Sequence, residues 1–185
     1  MIYPTVIKHN FFPEPKNIIK YSKTIEWHKS AITDNWPGLR SDNLCRINPQ
    51  LHGEIVSCIL ELYFGEKYSD NWKTIDIEKS DIRFHKIKYE DWVNHNRMNT
   101  RIHKDEADLA GIIYLNENVN NENTGTSLYN EDKKPTLKIS NNFNTLACYD
   151  GKVYHGATSL DKEERLTMVI FLTKITKHKK LEYYN

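Results

Sequence analysis

The sequence is poor in cysteine, has no excess of either charge and contains no long apolar run. Its three cysteines, Cys45, Cys58 and Cys148, are an odd number with no closely spaced pair, which predicts reduced thiols rather than a disulfide framework. The 26 basic and 25 acidic residues give a net charge of +1, so charge gives no reason to expect a nucleic-acid partner or a membrane surface. No stretch of about 18 apolar residues is present, and a membrane-spanning helix is therefore not expected.

The first nine residues also lack the charged, apolar and small-residue regions of a signal peptide. Together with the unpaired cysteines, this predicts a cytoplasmic location. Asn, Lys and Ile are abundant, a composition typical of an AT-rich bacterial or phage genome. A length of 185 residues suits one domain with a substantial core, and we predict a single domain over residues 1–185.

The N-terminal region, residues 1–80, is predicted to be a helical support for the rest of the chain. It should contain a short strand over residues 6–12 and a helix that begins near Pro13. A second helix is predicted over Pro49–Phe64, because apolar residues recur there at helical spacing and Gly65 provides a stop.

The β core is predicted over residues 81–175, followed by a polar tail over residues 176–185. Alternating apolar residues and turn signals predict strands near residues 82–89, 100–103, 109–115, 126–129, 136–139, 145–149, 152–155 and 165–173. Residues 116–135 are polar and Asn-rich, which predicts a mobile loop with one short strand, and residues 117–134 are a candidate lid. Many short strands favour an antiparallel sandwich or barrel, so the expected class is α+β, mostly β, with the helices packed on one sheet.

A candidate metal site is formed by His103, Asp105 and His155. His103 and Asp105 are two residues apart, so on an extended strand their side chains point to the same face. A second imidazole from a remote strand, His155, would complete two histidines and one carboxylate on one side of an ion. Such a facial set leaves the opposite positions open and suits non-haem Fe(II). The similar letters of His52 and Glu54 lie within the second predicted helix, where residues two apart diverge, and are rejected as a site.

Arg165 is a candidate anion-binding residue. It begins a predicted strand in which Leu166 and Met168, with the alternate residues that follow, form an apolar face. Arg165 and Thr167 therefore point to the opposite face, into the barrel. A buried arginine requires an anionic partner, and a dicarboxylate would supply one.

In this order, these motifs resemble the Fe(II)/2-oxoglutarate-dependent oxygenases, and most of all the prolyl-4-hydroxylase-like branch of that family. The resemblance covers residues 82–175. It consists of the His103-x-Asp105 pair, the Tyr-Leu-Asn segment at 114–116, the segment 125–129, the Asp-Gly-x-x-x-His segment ending at His155, and Arg165-x-Thr167. It implies a double-stranded β-helix, a jelly-roll or cupin-like core. The segment 125–129 departs from the double glycine usual in the family, so its conformation is not implied.

The resemblance also implies roles for individual residues. His103, Asp105 and His155 match the iron ligands and the catalytic centre, and Arg165 matches the residue that binds the distal carboxylate of 2-oxoglutarate. Two further residues, Thr167 and Tyr114, match groups that contact the same carboxylate. The implied cofactors and co-substrates are Fe(II), 2-oxoglutarate and dioxygen, and the implied reaction is hydroxylation of an unactivated C–H bond.

Three interpretations remain open from the sequence: a hydroxylase, a non-enzymatic cupin-like metal-binding protein, and a binding module with a degenerate site. Arg165 favours the first over the second, because cupins usually lack this downstream arginine, and the intact triad argues against the third. A peptide or protein side chain is the first expected substrate and a free amino acid or small metabolite the second, with no nucleic acid and no membrane partner expected. The oligomeric state is left open. Trp36 and Arg40 are candidates for the substrate mouth, although a structural turn also explains them.

Overall fold

The structure, a computed structural model, describes residues 3–29, 37–65, 80–96, 102–117, 120–160 and 164–175. Its four helices within these ranges are α1 (Pro15–Ser22), α2 (Leu44–Ile47), α3 (Pro49–Phe64) and α4 (Tyr89–Asn96). Its strands are β1 (Val6–Lys8), β2 (His28–Lys29), β3 (Leu39–Arg40), β4 (Asp81–Ile87), β5 (Leu109–Tyr114), β6 (Asn120–Tyr129), β7 (Pro135–Asn142), β8 (Thr145–Asp150), β9 (Tyr154–Ala157) and β10 (Arg165–Leu172).

The strands form two antiparallel sheets of unequal width. The larger sheet has the order β1-β8-β5-β10-β4-β3-β2, and the smaller sheet has the order β7-β6-β9. An isolated antiparallel bridge pairs His103 with His155 in β9 and extends the smaller sheet by one position. The non-consecutive strand order shows that successive strands cross between the two sheets, as they do in a jelly roll.

Helix α3 has the bounds that the sequence predicts. Pro49 occupies the first turn, where a missing N–H costs nothing, and the Asn48 side chain accepts a hydrogen bond of 3.1 Å from the backbone N–H of Leu51. The helix ends at Gly65, which has a φ of 83°, a left-handed conformation that favours glycine. His52 and Glu54 both lie within this helix, which confirms that they do not share one face of a strand.

The larger sheet packs helices on one face and the smaller sheet on the other. The helix side is a continuous apolar cluster in which Ile55 and Ile59 of α3 join Phe84 of β4 and Met168 of β10. The second cluster lies between the two sheets and contains these buried residues: Ala110, Tyr114, Leu128, Ile139, Ala147 and Tyr149. The prediction of helices packed on one sheet of a mostly β core is confirmed.

The segment predicted as a mobile loop with one short strand at 126–129 contains a longer strand, Asn120–Tyr129. The short strand is confirmed, and the loop prediction is wrong over residues 120–125. This strand, β6, lies in the centre of the smaller sheet, and its residues Thr126–Tyr129 pair with both β7 and β9. The Asn-rich start of β6 pairs with β7 alone, through Asn120 and Asn121, and this backbone pairing offsets its low strand propensity. The lid hypothesis for residues 117–134 therefore has no support over β6, while residues 118 and 119 lie outside the described ranges.

Several shorter elements also differ from the sequence prediction. The first strand covers only Val6–Lys8, and the strand predicted over residues 82–89 ends at Ile87 because Tyr89 begins α4. In the predicted strand 100–103, only the bridge at His103 is observed, and residues 100 and 101 are not among those described. The tail at 176–185 also lies outside the described residues. Within the described part of the chain, no helix combines the length and apolar character needed to cross a membrane.

Candidate metal centre and its inner wall

Backbone pairing brings the two candidate histidine ligands together. The His103 N–H donates to the His155 carbonyl over 3.0 Å, and the His155 N–H donates to the His103 carbonyl over 2.9 Å. Residues that exchange two hydrogen bonds in this way lie directly opposite each other. Their imidazole ring centroids are 4.4 Å apart, so a pair separated by 52 positions in the sequence shares one spot at the edge of the smaller sheet.

The third candidate ligand, Asp105, is held by the turn that precedes β9. Its backbone N–H donates to the Gly151 carbonyl over 2.8 Å. A side chain at Gly151 would overlap the carbonyl oxygen of Ala107, so only glycine allows this close approach. The same turn is stabilised by the Asp150 carboxylate, which accepts hydrogen bonds from the backbone N–H groups of Lys152 (2.8 Å) and Tyr3 (3.0 Å).

The side-chain atoms of the three residues converge on one point. Asp105 Oδ2 lies 3.0 Å from His155 Nε2, and Asp105 Oδ1 lies 3.5 Å from His103 Nε2. One candidate ligand atom from each residue lies within 4.8 Å of the others. Two ligands about 2.1 Å from a metal ion and at right angles to each other are about 3.0 Å apart, so the spacing fits a facial set. Two imidazoles and one carboxylate suit Fe(II), although other first-row divalent ions bind the same donors.

The orientation of His155 also fits metal ligation. Its Nδ1 lies 2.9 Å from the Val153 carbonyl, and a hydrogen bond to a carbonyl requires the proton to be on Nδ1. With the Nδ1 proton directed to the Val153 carbonyl, Nε2 is the ring atom that faces the Asp105 carboxylate, at 3.0 Å, and it is the atom that would bind an ion. A backbone carbonyl that fixes the tautomer in this way is a common partner of histidine ligands.

The three candidate ligands differ strongly in exposure. The His103 side chain is 58% exposed, whereas Asp105 is 16% and His155 is 7% exposed. An ion held here would therefore be accessible from the His103 side and shielded on the His155 side. A substrate would therefore approach the ion from the His103 side, while the space between the sheets stays shielded from solvent.

Arg165, Thr167 and Tyr114 form the inner wall of the site, deeper between the sheets. Arg165 is 4% exposed, Thr167 is 2% exposed and Tyr114 is fully buried. Thr167 of β10 lies directly opposite Tyr114 of β5, and the Arg165 guanidinium lies 5.3 Å from the centroid of the Tyr114 ring, a cation–π distance. The alternate residues of β10, including Met168 and Ile170, belong to the helix-side cluster, so the predicted division of faces in this strand is confirmed.

The Tyr114 hydroxyl connects this wall to the smaller sheet, because it donates to Thr126 Oγ1 over 2.9 Å. Burial raises the pKa of Tyr114, although the Arg165 charge opposes that effect, so the phenol remains a protonated donor at neutral pH. Gly125, beside Thr126, has a φ of 134° at an irregularity in the β6–β7 pairing. A side chain at Gly125 would overlap the Ile139 carbonyl. The chain therefore uses one glycine at a bulge where the family pattern has two.

Two residues of the inner surface, His85 and Tyr149, were given no role from the sequence. For a third, Arg40, the sequence left open whether the residue lines the substrate mouth. His85 is buried opposite Thr167, and Arg40 lies opposite His85 on the next strand. Burial, together with the charges of Arg40, Arg83 and Arg165, lowers the pKa of His85 well below its usual range. The alternation of β4 would have placed His85 on this face. Arg40 is thus on the same sheet surface as Arg165, while Trp36, its partner in the mouth hypothesis, is outside the described residues.

Tyr149 is the second residue without a predicted role, and no sequence pattern pointed to it. All six residues of β8 are buried, so the strand lacks the alternation that would separate an inner face from an outer one. The ring centroid of Tyr149 lies 4.9 Å from that of His155, which makes it a neighbour of the candidate metal centre.

Comparison with solved structures identifies the fold. The chain is similar to a prolyl-4-hydroxylase from Pseudomonas putida, with 12% identity, a TM-score of 0.62 and 93% of each chain covered. It is also similar to a prolyl hydroxylase from Trichoplax adhaerens solved with a hypoxia-inducible-factor peptide fragment, with 14% identity, a TM-score of 0.59, and 98% of this chain and 87% of that chain covered.

A third similar structure is HygX from Streptomyces hygroscopicus, solved with nickel, 2-oxoglutarate and hygromycin B, with 8% identity, a TM-score of 0.56, and 91% of this chain and 82% of that chain covered. By sequence, no family model and no curated protein matches the chain. The structural likeness extends over nearly the whole length and confirms the predicted architecture. The chain has the double-stranded β-helix fold of the 2-oxoglutarate- and Fe(II)-dependent oxygenases.

Proposed function

We propose that the protein is an Fe(II)- and 2-oxoglutarate-dependent hydroxylase. The observation that carries the proposal is the arrangement of two complementary groups between the same two sheets. His103, Asp105 and His155 present a facial donor set at the edge, and Arg165 presents a buried guanidinium further in. Metal binding alone does not require a buried arginine. A dicarboxylate that chelates the metal ion with one end requires a basic group for its other carboxylate.

In this proposal each residue has a distinct task. His103, Asp105 and His155 hold Fe(II), and Arg165 binds the distal carboxylate of 2-oxoglutarate through its planar fork, which matches a carboxylate better than an ammonium group does. Thr167 and Tyr114 support that carboxylate from adjacent strands. When bound, iron and 2-oxoglutarate supply the oxidative decarboxylation that drives C–H hydroxylation, and the protein supplies orientation and the exclusion of water.

The main competing interpretation is a cupin-like protein that binds a metal ion without oxidative chemistry. Arg165 argues against it, because its guanidinium is 4% exposed and lies against the Tyr114 ring between the two sheets, where a metal ion alone requires no second basic group. A dicarboxylate that chelates the metal ion with one end would present its other carboxylate to this guanidinium.

For the substrate, we propose a peptide or protein side chain of the kind that prolyl hydroxylases modify. The support is the likeness to prolyl hydroxylases, one of them solved with a peptide fragment, and the exposure of His103, which opens the site toward a large partner. A small molecule is the second candidate, because HygX is similar over a comparable share of the chain and was solved with hygromycin B.

The test is an anaerobic titration of 2-oxoglutarate into the iron-loaded protein, followed by exposure to oxygen. A visible charge-transfer band before oxygen and succinate after it are the expected results. Incubation with proline-containing peptides and with free amino acids, followed by mass spectrometry, should then reveal a gain of one oxygen atom. Iron binding without a charge-transfer band and without succinate would instead favour the cupin-like interpretation.

A further inference from the structure

Asn116 lies two residues beyond the end of β5, and its side chain contacts the backbone on both sides of Arg165. Its Oδ1 accepts a hydrogen bond of 2.8 Å from the Leu166 N–H, and its Nδ2 donates one of 2.8 Å to the Glu164 carbonyl. The two partners determine the orientation of the amide, because an N–H requires the oxygen and a carbonyl requires the NH2 group. Asn116 completes the Tyr-Leu-Asn segment, and neither the candidate metal centre nor the inner wall includes it.

These two hydrogen bonds continue the pairing of β5 with β10 past its last register position. The register of the two strands ends where Thr167 lies opposite Tyr114. The Leu115 N–H then donates to the Leu166 carbonyl over 3.1 Å. Beyond that point a side chain takes the place of the strand, and its amide satisfies backbone groups of the two residues that flank Arg165. The start of β10 is therefore held by β4 on one side and by this side chain on the other.

The position of this backbone matters because Arg165 carries the guanidinium that the proposed co-substrate requires. A bidentate pair between a guanidinium and a carboxylate is geometrically specific, and a binding group must be held to within about 0.5 Å by its surroundings. Arg165 is 4% exposed, and its guanidinium lies 5.3 Å from the centroid of the Tyr114 ring, so the side chain has little room to compensate for a displaced Cα. A shift of the strand end would therefore move the fork out of line with its carboxylate.

A second asparagine makes the same kind of contact at a distance from the site. Asn43 Nδ2 donates to the Ser80 carbonyl over 2.9 Å, and Asn43 Oδ1 accepts from the Ile82 N–H over 3.4 Å. These contacts flank Asp81 at the start of β4. Asp81 and Arg165 lie at opposite ends of the register between β4 and β10, roughly 20 Å apart at about 3.4 Å per residue. Asn43 therefore provides the structural contact without proximity to the guanidinium.

We propose that Asn116 is a positioning residue for the co-substrate. It holds the strand end that carries Arg165, and it thereby sets the affinity for a dicarboxylate without touching the molecule. This inference rests on the proposed function, because Asn116 acts through Arg165 and has no ligand of its own. The Tyr-Leu-Asn segment then supports the inner wall twice, through the Tyr114 hydroxyl and through the Asn116 amide.

The test is a double-mutant cycle with Asn116→Ala, Arg165→Ala and the variant that carries both substitutions. 2-Oxoglutarate is titrated anaerobically into each iron-loaded protein while the charge-transfer band is followed. Asn43→Ala is the matched control. Iron affinity is measured separately without 2-oxoglutarate, and thermal unfolding of the metal-free proteins reports on the fold.

Asn116→Ala is expected to weaken 2-oxoglutarate binding by about threefold to tenfold, the factor that corresponds to one ordinary hydrogen bond. In the Arg165→Ala background the same substitution should cause no further loss, because the fork that Asn116 positions is absent. Asn43→Ala should lower the thermal stability at least as much, since Asn43 also caps α2, but should leave the 2-oxoglutarate affinity unchanged. Iron affinity should equal that of the native protein in all four variants.

Distinct results separate this inference from the proposed function. If the native protein forms no charge-transfer band, the proposed function fails and this inference fails with it. If the band forms and Asn116→Ala binds 2-oxoglutarate as tightly as the native protein does, only the role of Asn116 is overturned. An equal loss in the presence and absence of the Arg165 guanidinium, or an equal loss in Asn43→Ala, would overturn it as well, because the amide would then act on the fold in general.

Asn116→Asp keeps the inference testable if Asn116→Ala does not fold. The aspartate is isosteric, keeps the acceptor for the Leu166 N–H and loses the donor to the Glu164 carbonyl. In the same cycle it should weaken 2-oxoglutarate binding when Arg165 is present and should have no effect in the Arg165→Ala background. A loss of the same size in both backgrounds, or no loss in either, would overturn the role of Asn116.

Discussion

The two halves of the candidate site differ in how firmly the fold holds them. At the rim, His103 is held by one isolated bridge and its side chain is 58% exposed. At the inner wall, Arg165 and Thr167 lie on β10, which is hydrogen-bonded to β5 on one side and to β4 on the other. The inner wall is therefore anchored by backbone pairing on both sides of β10, whereas His103 at the rim lies outside the named strands.

The two halves of the site should therefore respond differently to substitution. Removing a rim ligand takes away part of the metal site itself, with little effect on the sheets. Replacing an inner-wall residue should leave the metal site intact but weaken the binding of a co-substrate that chelates the metal ion.

The largest effect is expected at the rim, from Asp105→Ala. Asp105 is the carboxylate among the three candidate ligands, and its oxygens lie 3.5 Å from His103 Nε2 and 3.0 Å from His155 Nε2. Its loss should therefore greatly weaken iron binding and abolish hydroxylation. Isothermal titration with Fe(II) under anaerobic conditions measures the affinity. Glu106→Ala is the matched control, because the neighbouring Glu106 is exposed. Retention of native iron affinity in Asp105→Ala would contradict the assignment of the triad.

The second prediction concerns the inner wall and the substitution Arg165→Ala. Truncation of a buried guanidinium that pairs with a carboxylate costs roughly 2–5 kcal/mol, so 2-oxoglutarate binding should weaken by at least about tenfold. Iron affinity should be unchanged, because Arg165 is not a ligand. Arg165→Lys should recover part of the loss, since an ammonium group lacks the fork. Equal 2-oxoglutarate affinity in the native and Arg165→Ala proteins would remove the main argument against a cupin-like binder.

A smaller effect is expected from Tyr114→Phe, because one hydrogen bond to a charged group contributes about 1.5–3 kcal/mol at most. The Tyr114 hydroxyl already donates a hydrogen bond to Thr126 Oγ1. The loss of 2-oxoglutarate affinity should therefore be smaller than for Arg165→Ala. The same anaerobic titration measures it. An effect as large as that of Arg165→Ala would show that Tyr114, and not the guanidinium, dominates the inner wall.

The smallest effect is a dependence of stability on pH that arises at the inner wall. The pKa of buried His85 lies well below 6.5 in the folded protein, whereas in the unfolded chain it should be about 6.5. Below pH 6.5 the unfolded chain therefore binds more protons, and the free energy of unfolding should fall by up to about 1.4 kcal/mol per pH unit. Above pH 6.5 this contribution is fully present.

Denaturant unfolding between pH 7.5 and 5.5 measures this slope. His85→Gln should flatten it, and the exposed His28 provides the matched control in His28→Gln. If both variants keep the native slope, the acid sensitivity arises elsewhere. His52 is the first alternative, because burial also lowers its pKa.

Local signals in the sequence predicted part of the fold correctly. The bounds of α3 follow from Asn48, Pro49 and Gly65, which act within a few residues of the helix ends. The faces of β10 follow from the alternation of polar and apolar residues at its start, Arg165, Leu166, Thr167 and Met168. In both cases the physical cause lies within the segment itself, so a reading of that segment is sufficient.

The errors occur where distant pairing determines the structure. β6 begins with an Asn-rich stretch of low strand propensity, which pairs with β7, and only its end, Thr126–Tyr129, also pairs with β9. Tyr149 remained unassigned because β8 is buried on both faces. Its sequence pattern therefore does not show which residues point to the inner face and which to the outer face. For the candidate site, the motif order predicted which residues meet, but the bridge between His103 and His155 and the turn at Gly151 that place them are contacts between remote segments.

The hydrogen bond from Tyr3 to Asp150 joins two segments that are far apart in the sequence. β1 pairs with β8, and the Tyr3 N–H is bonded to the side chain that closes the turn carrying Gly151, which in turn accepts the N–H of Asp105. The segment that contains Tyr3 thus helps to hold the loop that positions Asp105, the candidate carboxylate ligand. Deletion of this segment should weaken metal binding, although it removes none of the three candidate ligands.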